Sequence, residues 1–142
     1  MIHQTAMRQA ELPVTEYPRL LRAMIGSRRK APFVSDLEPL LDALVHGQDM
    51  AVPLGLDRVV PTDAAAAATQ RAWSMGFPFR AEKRLAGFTL VASDHPWSAG
   101  EGAVVEAPVR ALLMLVTGRD VVLPELTGPG ADALRSRLRA PL

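Results

Sequence analysis

The chain has no cysteine. That excludes a disulfide framework, a thiolate zinc site and a cysteine nucleophile, so a metal would have to be held by His, Asp or Glu. Histidine is scarce, with three in 142 residues, which makes the position of each one informative. Long apolar runs are missing too. The longest unbroken one, Ala111 to Val116, falls far short of the roughly 20 residues a membrane helix requires, and the first residues lack the basic-then-apolar order of a signal peptide. A cytoplasmic protein with no membrane partner is the expectation. Nor does charge of one sign dominate: 16 basic against 15 acidic residues leave +1, no global field to draw the chain onto nucleic acid. The one basic cluster, Arg28-Arg29-Lys30, sits between Gly26 and Pro32 and reads as a solvated turn.

What is present is ample apolar content. A hydrophobic fraction of 49% supports one domain, or two small halves sharing a core. Alanine, arginine and proline are frequent, as in proteins of high-GC bacteria. IHQTAMRQAEL has helical composition and stops at Pro13. TEYPRLLRAMIGS follows, with Thr15 as N-cap, Pro18 in the first turn, and Leu20, Leu21, Met24 and Ile25 on one face before Gly26. The next helix is expected from Ser35 or Asp36 to about Met50, with Ser35 and Glu38 spaced as a capping box. Its buried face is Leu37, Leu40, Leu41, Leu44 and Val45. AVPLGLDRVVP breaks it, and Thr62 or Asp63 caps a helix through AAAAATQRAWSM.

From Gly76 the character changes. GFPFR reads as a turn, Leu85 to Ala92 as a strand, SDHPWSAGEG as a loop and Ala103 to Ala107 as a second strand. VRALLMLVTGR is a helix ending near Gly118, DVVLPEL a short strand or turn, and ADALRSRL a closing helix. The expected class is α+β: residues 1–75 helical, residues 76–142 a small α/β domain.

One stretch carries chemistry. In LLDALVHGQDM, Asp42, His46 and Asp49 fall within an arc of about 60° on a helix, with Glu38 beside them. A carboxylate and an imidazole at i and i+4 project to one side a turn apart and can close on one divalent ion, zinc among others. Two ligands are not a site, because a catalytic zinc needs a third protein donor. The plain alternative is a solvent-facing helix pair contributing about 0.2–0.5 kcal/mol.

DALVHGQDMAVPLG, RAWSMGFPFR, GFTLVASDHPWSAGEG, ALLMLVTGRD and ELTGPGADAL, in that order, resemble the mycothiol-dependent maleylpyruvate isomerase family over roughly residues 36 to 138. The resemblance implies a DinB-like metal-binding helical bundle joined to a small α/β domain. It also implies zinc held by one early-helix His and an acidic-x-x-x-His pair, which Asp42 and His46 match, with Asp where the family commonly has Glu. Asp49 matches a frequent acidic position that would orient His46 without touching the ion.

Mycothiol is the implied thiol. Its thiolate adds to a conjugated double bond, rotation follows, and elimination gives the trans isomer. The early metal helix has no counterpart here, since about 35 residues precede the pair's helix and His3 is the only histidine among them. A fragment, a misplaced start or a shortened paralogue would each account for this, and the metal site is expected to be incomplete.

Arg119, in VTGRD, matches a Thr-Gly-Arg signature of the family's C-terminal domain. It could take a carboxylate of substrate or thiol bidentately, or serve as a helix C-terminal cation. His95 beside Trp97 reads as a surface residue, and Trp73 and Trp97 as buried anchors. The GPG at 128 to 130 is a turn, not a phosphate loop, and no serine has a GxSxG setting. The competing reading is a non-catalytic binding or structural module, its α/β half holding an apolar ligand or protein partner as in sterol-carrier-like folds. Completion of the bundle by dimerisation would predict a homodimer.

Overall fold

The computed structural model describes residues 2–27, 29 and 35–140. Two compact units divide the chain, Met1–Pro32 and Phe33–Leu142. In the first, α1 (Ile2–Ala10), a 3-10 turn (Val14–Glu16) and α2 (Tyr17–Ala23) follow one another. The Tyr17 hydroxyl donates to the Gln9 carbonyl at 2.8 Å. Thr15 caps nothing, because the 3-10 turn already starts at Val14 and no side chain bonds the α2 amides. Pro18 does fall in the first turn. The expected apolar face stays in solvent: Leu21, Met24 and Ile25 are exposed and no residue of α2 is buried. The basic cluster's Arg28 and Lys30 lie outside the described residues.

The second unit is α+β. Its elements are α3 (Leu37–Ala51), α4 (Thr62–Ser74), α5 (Ala81–Arg84), β1 (Gly87–Ala92), β2 (Ser98–Gly100), β3 (Gly102–Ala107), α6 (Val109–Val116), a 3-10 segment (Asp120–Glu125) and α7 (Ala131–Arg139). The compositional change near residue 75 falls inside this unit. At its centre is α6, whose residues are all buried except Arg110. A helix apolar on every side must be covered on every side, and α4, the sheet and the 3-10 segment cover it.

The alanines of α4 have a packing role as well as a propensity. Ala65, Ala68 and Ala72 are fully buried at helical spacing, and their small side chains let α3 and α6 pack closely on α4. Thr69, buried on the same face, donates its hydroxyl to the Ala65 carbonyl at 2.7 Å, so no lone polar group is left in the core. The start of α4 differs from expectation. Its N-cap position is Pro61, and neither Thr62 nor Asp63 makes a side-chain cap bond. On α3, Leu41, Leu44 and Val45 are buried as the spacing predicts, Leu40 is half-buried and Leu37 lies at the exposed edge.

The sheet order is β2-β1-β3, with β2 antiparallel and β3 parallel to β1. The loop expected over SDHPWSAGEG contains a strand, because Ser98 to Gly100 return along β1 after Trp97 is anchored. Gly100 pairs beside Thr89 and Gly102 beside Gly87, on opposite sides of β1. The chain therefore rounds the start of β1 in a single residue, Glu101. That close passage needs glycine. A Cβ on Gly102, at φ +128°, would fall on the Gly87 carbonyl, and one on Gly100, at φ +89°, on the Phe88 carbonyl. DVVLPEL, expected as a short strand or turn, contains the 3-10 segment and no strand. After it, Thr127 bridges Glu106 and the Gly130 amide donates to the Val104 carbonyl at 2.8 Å, closing the β3 edge. No helix among the described residues is long and apolar enough to cross a membrane.

Replacing Gly102 by alanine should lower unfolding stability by more than about 2 kcal/mol. Gly76→Ala, in open space at ordinary φ, should change it by less than about 0.5 kcal/mol. Urea unfolding of the two variants checks this; equal effects would refute the close passage.

Candidate functional site

The polar line of α3 is built by helix geometry and completed from elsewhere in the fold. Asp42 and His46 lie on its exposed face, and Asp49 is half-buried in the last turn of the helix. Arg119 reaches Asp49 because of how α6 terminates. Gly118 takes φ +91°, its amide donates to the Leu115 carbonyl at 3.0 Å, and the Arg119 amide donates to the Met114 carbonyl at 2.9 Å. This is a Schellman turn. It aims the Arg119 side chain off the end of α6 toward α3.

Arg119 holds Asp49 with two bonds, Nε to Oδ1 at 3.1 Å and Nη2 to Oδ2 at 2.7 Å, while its Nη1 donates to the Thr117 carbonyl at 2.8 Å. The planar fork suits a carboxylate held this way. The carboxylate it holds is one of the chain's own, and the same arginine also satisfies a carbonyl at the helix end. Both groups are about two-thirds buried, with side chains 27% and 33% exposed.

Asp49 has a second neighbour. Its Oδ2 lies 3.2 Å from His46 Nδ1. The Arg119 hydrogen bonds, and after them the one to His46, hold the Asp49 carboxyl below its ordinary value against the opposing effect of burial. An ionised carboxylate only accepts, so the proton of a neutral His46 sits on Nδ1. Nε2 then carries the lone pair. The imidazole side chain is 67% exposed, which leaves that lone pair open to a proton or a cation.

The structure therefore brings together His46, Asp49 and Arg119. Asp42, exposed one turn earlier, makes no hydrogen bond or ion pair among the described residues. Glu38 is engaged at the other end of α3: Ser35 and Arg71 hydrogen-bond it, Arg71 Nε at 3.0 Å, and together they push its carboxyl down to about 2. His3 falls in α1, and its side chain is outside the described residues. Among those described, no group of three or more His, Cys, Asp or Glu side chains is placed to hold a metal ion.

Two arginines matter that the spacing did not single out. The Arg58 guanidinium covers Gly47, where a Cβ would lie 2.6 Å from its central carbon. Arg84, half-buried and shifted down by that burial, donates to the Leu115 and Val116 carbonyls at 2.8 and 2.9 Å. The nearest signal for Arg84 was a cation close in sequence to a strand, which says nothing of a helix end 31 residues on. His95 accepts the Trp97 amide on Nδ1 at 3.1 Å and points Nε2 toward Asp63 at 3.5 Å, which accounts for it structurally. Trp73 and Trp97 are buried and meet edge to face at 6.5 Å. Beside the Asp49–Arg119 pair is a shallow cleft of about 250 Å³ whose lining includes Gln48, Val52 and Met114.

No family model, no curated protein and no solved structure matches the chain.

Because the folded-state pKa of Asp49 is lowered, its contribution is complete above the unfolded carboxylate value of about 4 and disappears as pH falls through the lower folded value. Asp49→Asn should therefore cost about 1 kcal/mol at pH 7, and the difference from wild type should close in acid. Urea unfolding across pH measures it. A gap that persists unchanged at the acid end would show that the charge of Asp49 is not what binds Arg119.

Proposed function

We propose that the chain is a cytoplasmic, mycothiol-dependent maleylpyruvate isomerase-like protein, a thiol- and divalent-metal-dependent isomerase or transferase in type, that carries half of a metal site. The observation that supports this reading is the His46 ring, hydrogen-bonded on Nδ1 by a carboxylate that Arg119 fixes and largely exposed on a helix that also carries an exposed Asp42 one turn earlier. A carboxylate behind an imidazole fixes the tautomer and orientation of the ring as a ligand. Asp42 and His46 would hold zinc or another divalent ion, and such an ion would stabilise an anionic thiolate or an enolic oxygen. Two donors make half of a tetrahedral coordination shell. The remaining donors have to come from outside the described residues, from a second copy or from the thiol itself.

A second reading, a non-catalytic binding or structural module, is favoured by the state of Arg119. Its Nε and Nη2 are occupied by Asp49 and its Nη1 by Thr117, which leaves little of the fork for an incoming carboxylate. Under the first reading, Arg119 positions Asp49 and hence His46.

Calorimetric titration with zinc, the thiol-dependent isomerisation of a cis-conjugated oxo-diacid, and light scattering test the proposal together. Expected are zinc binding weaker than about 1 μM, its loss in His46→Ala, and little isomerisation by the isolated chain. Light scattering shows whether binding accompanies a homodimer. Tight stoichiometric zinc lost with His46 would overturn the half-site; zinc binding indifferent to His46 would overturn the metal assignment altogether.

A further inference from the structure

At the other end of the α3–α4 pair from His46, where Arg71 meets Glu38, a cleft of about 350 Å³ opens against Trp73, with Ser74, Phe77, Arg80, Glu82 and Lys83 in its lining. Its volume suits a small organic ligand. Trp73 is 9% exposed and is held rigidly by Trp97, whose indole Nε1 donates to Gln70 Oε1 at 3.0 Å. Phe77 is 82% exposed. Among the described residues no other large aromatic side chain stands so far in solvent, and this one stands at the mouth of a cavity with an indole at its base. Two aromatic surfaces at one cavity favour a planar ring.

The cations come from the loop and helix that follow. The side chains of Arg80 and Lys83 make no hydrogen bond or ion pair among the described residues, so both cationic groups are available to an anion. Arg80 holds a left-handed backbone, φ +47°, the only positive φ outside glycine among the described residues. The conformation is locked by the Arg80 amide donating to Gly76 at 2.6 Å and its carbonyl accepting from Arg84 at 2.9 Å. Glycine would take this backbone without strain, so what the position supplies through arginine is a side chain, at a cost in stability. The one acid of the cleft, Glu82, also lines the adjoining cleft beside Phe88 and Glu101, so the carboxylates gather on that side.

We propose that the Trp73 cleft is a binding site for a small aromatic carboxylate, its ring against Trp73 and Phe77 and its carboxylate held by Arg80 and Lys83. A guanidinium fork and an ammonium select an oxyanion, and the aromatic lining selects what carries it. The site is separate from the metal half-site and does not depend on it.

Titration with 2-naphthoate, followed by the fluorescence of the two tryptophans, tests the proposal on the intact chain. Saturable binding is expected below about 1 mM. The neutral 2-naphthamide should bind at least about tenfold more weakly. Arg80→Gly should weaken naphthoate binding by a similar factor while leaving urea stability unchanged or raised, since glycine relieves the strained backbone. His46→Ala should bind naphthoate as wild type does. Absence of saturable binding at that concentration, equal binding of the amide, or an undiminished Arg80→Gly would each overturn the site.

Discussion

A single carboxylate organises the chemistry of this chain. Asp49 is shared between Arg119, which holds it with two hydrogen bonds, and His46, whose Nδ1 it faces. The arginine keeps the acid ionised, the ionised acid can only accept, and the imidazole is thereby left with its free lone pair on Nε2. One interaction thus joins α3 to the segment after α6 and sets which ring nitrogen is available for chemistry. Without it, His46 would be a freely rotating surface side chain, and Asp42 would have no oriented neighbour.

That interaction is in turn a product of the core. Because α6 is apolar on every side it has to be enclosed, and its end must be closed by groups that satisfy its last carbonyls. Arg84 donates to those of Leu115 and Val116 from one direction, and the Schellman turn at Gly118 takes those of Met114 and, a second time, Leu115 from another. The turn that closes the helix is also the one that aims Arg119 at Asp49. On the opposite flank, the small side chains of Ala65, Ala68 and Ala72 allow α3 and α6 to approach α4 closely. The position of a polar pair at the surface therefore depends on fully buried alanines and on how the end of a buried helix is closed.

Periodicity made most of the second unit legible. The leucines of α3, the apolar run of α6 and the polar line Asp42–His46–Asp49 follow from spacing, the strand expected over Leu85–Ala92 is found at Gly87–Ala92, and the α+β class follows from their order. What could not be read is what depends on partners distant in sequence. Ser98 to Gly100 become a strand only because β1 offers an edge. The α4 start needs no side-chain cap once its apolar face is packed. Leu21, Met24 and Ile25 form a face by spacing alone, and within their own unit nothing buries it. Arg119 illustrates the limit for the site. In the sequence it reads as a cation for a carboxylate of substrate or thiol, or as a helix-end cation; it does bond the Thr117 carbonyl at the helix end, but the carboxylate it holds is the chain's own Asp49, 70 residues away, a pairing written only in the tertiary structure.

The protonation pattern of the His46 ring tests this account most directly. Long-range proton–nitrogen correlation spectra of the nitrogen-15-labelled protein, recorded with the imidazole neutral, distinguish the two tautomers. The account predicts a His46 that carries its proton on Nδ1, and that reverts toward the mixture of an unconstrained histidine in Asp49→Ala. A His46 protonated on Nε2 in the native chain would contradict it.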